Sequence, residues 1–250
     1  MTSTNTHKIV TAGMLAIGDE LLSGRTRDKN IGHLANLLTL QGIDLKEVRI
    51  VADEEPEIVE ALNALRKKHT YVFTSGGIGP THDDITADAV AKAFEISIGH
   101  DPRAMDILQQ HYDHQKLEFT TARKRMARIP VGATLIHNKV SKAPGFIVEN
   151  VHVMAGVPSI FQAMLEEVLP RLEGGAHMHS KAVECEFGEG TIGDRLGELQ
   201  KAHKETSIGS YPKFDGKRYS TQIVVRSRDQ TAIHAAVEDI ELALSDLRNQ

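Results

Sequence analysis

From residue 13 onward, apolar positions switch between two periodicities, and the switching predicts an order of elements. GMLAIG (13–18) is a short apolar run closed by glycine, as a buried strand would be. Residues 30–42 then place Ile31, Leu34, Leu37, Leu38 and Gln41 at helical spacing and end on Gly42, a residue suited to a helix C-terminus. Residues 44–52 alternate like a strand. Residues 56–69 begin with Pro56 and finish in Lys and His, the polarity that a helix dipole favours. A third strand, 71–77, runs into a glycine-rich stretch, and 83–95 read as a helix with an acidic first turn. A mostly helical segment (101–129), strands near 133–138 and 146–156, and a helix over 158–173 carry the chain to Gly174-Gly175.

This β-α-β-α-β-α order predicts an α/β fold, a parallel sheet with right-handed crossovers and helices on both faces. Ligands of such sheets bind beyond the C-terminal ends of the strands. The loops IGDELLSGRTRDKN and SGGIGPTHDD, after the first and third strands, both emerge at that edge. Beyond Gly175 the order changes to strand (181–187), helix (191–203), strand (207–212), strand (220–227) and helix (231–247). The expected division is therefore an α/β domain over 8–174 and a smaller α+β domain over 176–250.

Charge and composition narrow the partners. A formal net charge of −5 argues against a broad grip on DNA or membranes, and an aromatic content of 4% without Trp offers no stacking platform for single strands. The N-terminus MTSTNTHK lacks the apolar core of a signal peptide and no apolar run approaches a membrane span, so a cytoplasmic protein is expected. The single cysteine, Cys185, cannot form an internal disulfide and reads as a buried strand residue within AVECEF. His177 and His179 do not have persuasive zinc spacing, and His82 is the histidine closest to candidate chemistry.

That chemistry centres on TSGGIGPTHDDIT (74–86). Gly76, Gly77 and Gly79 at a strand-to-helix turn offer backbone N–H groups to an anion. No Gly-Lys-Ser follows, as a nucleotide P-loop requires; Asp83 and Asp84 follow instead. Carboxylates beside a phosphate cradle make sense if a divalent cation bridges them, neutralising charge and acidifying a bound water. Capping of the next helix by the same acids is an equally good local reading, compatible with the first. Asp19 and Glu20, in GDELLSG, lie at the same predicted sheet edge. Lys142 in SKAPG is placed to meet a phosphate or to be an ordinary turn lysine. Arg123, Lys124, Arg125 and Arg128 form a basic helical cluster, more in keeping with a solvated face than with a ligand site. No GxSxG elbow or paired CxxC is present.

Together, GDELLSG (18–24), DKN (28–30), the 74–86 motif, ARIP (127–130), APGF (143–146) and GVP (156–158) resemble the CinA-like molybdopterin-binding-fold family, related to the MoaB and MogA proteins of molybdenum-cofactor synthesis. The tail resembles the small KH-like domain that follows this core, with SIGSYP (207–212) in place, although it has no GxxG loop for nucleic acid. The resemblance implies a three-layer, mostly parallel core. It also implies a divalent-metal-dependent pyrophosphatase acting on ADP-ribose-like or FAD-like nucleotides, with Mg, Mn or Co and a monovalent cation as cofactors. The alternatives are a transferase or insertase with molybdopterin as ligand, or a non-catalytic binding module. By position, Asp83 and Asp84 become the catalytic, metal-holding pair. Asp19, Glu20, Asn30, Gly76, Gly77, Gly79, Thr81, Lys142, Gly145 and Tyr211 become the substrate-binding set, with Tyr211-Pro212 bringing the small domain over the site. A small-molecule nucleotide or pterin phosphate is the implied partner, in a homodimer. Two positions depart from the family pattern: Ala155 stands for the proline of PGVP, and Ile160 stands where an acid often follows. The amidohydrolase domain into which many CinA proteins continue is expected to be absent.

Overall fold

The computed structural model describes residues 9–249. Contacts divide them into two compact units, residues 9–175 and 176–249. In the first, strand β1 (Val10–Ile17) is followed by a short helix α1 (Asp19–Leu22). Helix α2 (Asn30–Leu40) leads to β2 (Ile43–Val51), and α3 (Glu55–Lys68) to β3 (Tyr71–Ser75). After the glycine turn come α4 (Thr86–Ala93), β4 (Ile98–His100), α5 (Pro102–His114), α6 (Thr121–Lys124), β5 (Arg128–Pro130) and β6 (Thr134–Ile136). The unit closes with β7 (Gly145–Val148), β8 (Val151–Met154) and α7 (Pro158–Val168).

The main sheet has the order β2-β1-β3-β8-β7-β6. Its first four strands are parallel, and β7 runs antiparallel to both neighbours. Alternation along β1 sends Leu15 and Ile17 to one face, with Leu62, Val90 and Leu108 of α3, α4 and α5. It sends Met14 to the other face, with Leu34 of α2 and Phe161 of α7. The result is a three-layer, mostly parallel α/β core.

Four local departures from the sequence pattern have plain causes. The apolar run 146–156 folds as the β7–β8 hairpin, not one strand, turning at Glu149 in the left-handed region (φ 49°). Asn150 Nδ2 pins that turn, donating to the carbonyls of Arg66 and His69, 3.0 Å each. Helix α4 starts at Thr86 behind Ile85, with no side-chain cap, so neither Asp83 nor Asp84 caps it. Helix α7 gives way after Val168 to a 3₁₀ turn at Leu169–Arg171, where Pro170 lacks the N–H to continue. Finally, β4 and β5 pair as an antiparallel ladder of three residues each, too short to register as periodicity.

The second unit comprises β9 (His179–Cys185), α8 (Glu189–Ala202), β10 (Ser207–Phe214), β11 (Tyr219–Ser227) and α9 (Gln230–Arg248). Its antiparallel sheet, β10-β11-β9, packs Val183, Ile223 and Val225 against Val237 and Ile240 of α9. Cys185 is buried in β9, and burial pushes its thiol pKa up. His179 opens β9 while His177 precedes it. Among the described residues no helix is long and apolar enough to cross a membrane.

Buried at the centre of the first unit, His152 on β8 stacks on Phe73 with ring centroids 5.1 Å apart. Burial lowers its pKa from 6.5 to about 4, so the folded protein holds it neutral. The unfolded chain takes up a proton below its own, higher pKa. Stability is therefore complete above about pH 6.5 and falls as pH drops toward 4, by roughly 3 kcal/mol from this group. Urea unfolding midpoints at pH 7 and pH 4.5 should show that loss in the native protein and a much smaller one in His152→Phe.

Candidate functional site

Because β2, β1, β3 and β8 are parallel, the loops leaving their C-terminal ends share one edge of the sheet. A cleft of about 390 Å³ lies there, within the usual range for small-molecule sites. Its floor is the turn after β3. Gly76 has φ 114°, and a Cβ on it would stand 2.2 Å from the Ile17 carbonyl oxygen at the end of β1. Gly77 has φ 66°, and its Cβ would meet Thr86 Oγ1 at 2.1 Å. The Gly76 amide is spent on the Met154 carbonyl at 3.1 Å. Among the described residues the amides of Gly77, Ile78 and Gly79 donate to no acceptor, and all three residues line the cleft. Helix α4 begins a few residues beyond, so unspent amides and the positive end of a helix lie in the same short segment.

Four carboxylates line the same cleft: Glu20, Asp53, Asp83 and Asp84. Lysine, arginine and histidine are absent from its described lining. Asp84 is the anchor of the acid turn. Its Oδ2 accepts from the Thr81 amide at 2.8 Å and from the Thr81 hydroxyl. Arg125 holds the turn from outside, donating through Nε to the Thr81 carbonyl at 3.1 Å and through a terminal nitrogen to the Asp84 carbonyl at 3.3 Å. Asp53 follows β2, and its Oδ2 accepts from the Asp19 amide at 3.0 Å. Burial raises the Asp53 pKa, and the charges of Asp19, Glu20 and Asp83 raise it further.

This donor set suits a hard cation. Carboxylate oxygens are the donors that such a cation takes, and their mutual repulsion at Asp53 is what a positive charge there would relieve. Among the described residues, no group of three or more His, Cys, Asp or Glu side chains is arranged as a ready-made metal site. A cation here would therefore complete its shell with water and ligand oxygens, as magnesium commonly does.

The expected site residues divide into those that line the cleft and those that support it. Glu20, Gly76, Gly77, Gly79, Asp83 and Asp84 line it. Asp19 and Thr81 support it through the bonds to Asp53 and Asp84. Asn30 is a buried brace: its Nδ2 donates to Ser75 Oγ and to the Gly156 carbonyl, both at 2.8 Å, joining α2, β3 and the loop after β8. Gly145 is a packing residue in β7, where a Cβ would stand 2.3 Å from the Val153 carbonyl oxygen. Lys142 is exposed at φ 64° between Ser141 and Ala143, which line the cleft while it does not. Tyr211 belongs to the second unit, on β10, where Arg226 donates to its hydroxyl at 3.1 Å. His82 is exposed on the acid turn.

The basic cluster is neither one helix nor a free solvated face. Arg123 stacks on Tyr112, Lys124 lies over Phe119, Arg125 clamps the acid turn and Arg128 pairs with Asp88. Ala155 and Ile160, the two departures from the family pattern, both line the cleft; with Met126 and Met164 they make one wall apolar. Three residues escaped sequence reasoning. Asp53 was findable, because the loop after the second predicted parallel strand must reach the same edge. Asn138, whose Nδ2 bonds Ser141 Oγ and the Ala143 carbonyl at 2.7 Å each, carried no signal beyond its turn composition. Arg125 was hidden among equivalent-looking cations.

Comparison with known proteins gives the family. Residues 13–174 match the model of a probable molybdopterin binding domain, and residues 177–248 match that of the FAD synthase middle domain. A protein of Archaeoglobus fulgidus is 31% identical over 235 residues, covering 94% of this chain and 98% of its own. One of Pyrococcus furiosus is 34% identical over 240 residues, covering 91% and 94%. The solved structure of CinA from Thermoplasma acidophilum, a protein of unknown function, aligns with a TM-score of 0.60 at 30% identity, covering 65% of this chain and 98% of that one. With this family match spanning the glycine turn, its acid pair and the loops that brace them, the chain belongs to the molybdopterin-binding domain family and is a CinA-like member of it.

Proposed function

We propose that the cleft hydrolyses the diphosphate of a nucleoside-diphosphate-linked metabolite of the ADP-ribose or FAD type. The observation that carries this reading is the juxtaposition of three unspent amides at Gly77–Gly79 with four carboxylates in one cleft. An anion cradle lined by acids is self-defeating unless a cation accompanies the anion, and a diphosphate with a divalent metal meets both requirements. The match of residues 177–248 to a FAD synthase domain adds support for a nucleotide ligand.

Asp83 and Asp84 would hold the divalent cation together with water and ligand oxygens; when bound it would neutralise diphosphate charge and lower the pKa of water. The turn amides hold one phosphoryl group and orient it. Asp53, with its raised pKa, is the group suited to take the proton as a water oxygen bonds phosphorus and the bridging P–O bond breaks, giving two monophosphates. The apolar wall of Met126, Ile160 and Met164 excludes water and accommodates a base or ring. The same wall supports a second reading, in which a pterin phosphate is bound for molybdenum-cofactor synthesis.

Three measurements test the reading. Metal-stripped protein given ADP-ribose or FAD should release AMP only when Mg²⁺, Mn²⁺ or Co²⁺ is restored; Asp84→Asn should then lower turnover about 100-fold or more at an unchanged unfolding temperature. Absence of hydrolysis with every metal would transfer support to the pterin reading. The value of kcat/KM should fall on the acid side as Asp53 takes up its proton, and that limb should vanish in Asp53→Asn, since the base works only when ionised. Arg125→Ala, which frees the acid turn without touching a carboxylate, should weaken Mn²⁺ binding by about 10- to 100-fold in titration calorimetry.

A further inference from the structure

An open strand edge invites another strand, and most edges in this chain are blunted. Strand β2 is bulged: Ala12 faces Leu45 while Gly13 faces Glu47, so Lys46 stands out of register. Strand β6 and the β4–β5 ladder are only three residues long. Strand β10 holds Pro212, which has no N–H to give. Strand β9 differs. Its seven residues pair with β11 in unbroken register, and among the described residues no strand lies on its other side. Two cavities follow that open edge beside α9. One, of about 260 Å³, lies between residues 179–181 and the start of α9; the other, of about 420 Å³, lies between residues 182–184 and the C-terminal half of α9. Buried Val183, Ile233 and Leu244 give the two an apolar floor. Their polar groups are of opposite kinds. The first presents the Lys181 ammonium and the N–H donors of His179, Gln230 and His234, with no carboxylate in its described lining; Asp229, nearby, is spent on the Thr231 amide as the cap of α9. At the second, Glu184 is paired with Lys213 and Arg248 with Glu186, which leaves the exposed Glu241 without a cation among the described residues.

We propose that β9 accepts the carboxyl-terminal segment of a partner protein as an added antiparallel strand. Main-chain pairing would supply affinity, and the two cavities would supply selection. A terminal carboxylate is an anion that an extended chain carries at one end only. Set among the donors around Lys181, it fixes the direction, because the incoming chain then runs from the Cys185 end of β9 toward His179. Facing residues of an antiparallel pair share a face of the sheet. With the terminal residue opposite Lys181, its side chain lies toward Ile233, and the residue two before it faces Val183 beside Leu244 and Glu241. An apolar terminus suits the first place. A lysine or arginine suits the second, its stem on the apolar floor and its charge at Glu241. Lys181 would deter an ordinary strand from this edge, and here the same charge selects a chain end.

The probe is the peptide Thr-Lys-Thr-Val with a free carboxylate, labelled with fluorescein at its amino end and titrated with the intact protein by anisotropy. It should bind with a Kd below about 1 mM, and its carboxamide at least about 10-fold more weakly. Lys181→Glu should weaken the free acid at least about 10-fold at unchanged thermal unfolding. Glu241→Lys should also weaken it, and a peptide with Glu in place of Lys should restore binding to that variant. Backbone pairing has its own signature. Only alternate N–H groups of an added strand point at β9, so N-methylation of the peptide at alternate residues should abolish binding in one phase and spare it in the other. Absence of binding, equal binding of the carboxamide, indifference to Lys181→Glu or Glu241→Lys, or indifference to N-methylation in both phases would each overturn the proposal.

Discussion

The site depends on one steric constraint, the approach of the β3 turn to the end of β1. At Gly76 the Ile17 carbonyl occupies the space of a side chain, leaving no room for any residue but glycine at that crossing. A Cβ on Gly156, in the loop after β8, would stand only 3.2 Å from the Gly76 Cα, so a third loop closes on the same point. The backbones meet first, and the side chains that line the cleft are positioned by that meeting.

Backbones packed so closely have polar groups to satisfy, and three asparagines serve that need in the same way. Asn30, Asn138 and Asn150 each direct both donor directions of one amide nitrogen at two acceptors. Asn30 and Asn138 hold loops whose residues line the cleft; Asn150 holds the hairpin that delivers β8. An amide suits this role because it donates twice without burying a charge. Arg125 supplies the same service for the acid turn, where a cation on the outer side balances the acids within.

The gathered carboxylates are costly to the fold. Asp53 is partly desolvated and faces three other acids, an arrangement that stability alone would not favour. Several acids elsewhere are paired: Glu47 with Lys68 and Arg49, Asp101 with Arg103, Glu186 with Arg248. That contrast supports the proposal that the cleft's charge serves a ligand.

The sequence by itself determined the layer order, the parallel core and the glycine-acid segment that lines the cleft. Those follow from local periodicity and from the few conformations that glycine alone tolerates. Gly76, Gly77, Asp83 and Asp84 were legible because one short segment carries the whole motif. Tertiary structure alone decided which side chains share a space. Asp53 comes from the far end of β2 and Arg125 from beyond α6, and their roles rest on contacts across 34 and 41 to 44 residues of chain. It also decided that Gly145 packs a strand, that Asn30 braces three elements, and that Asp83 and Asp84 precede the helix rather than cap it. Periodicity reports which face a residue occupies; only the closing of the sheet edge brings distant residues into one cleft.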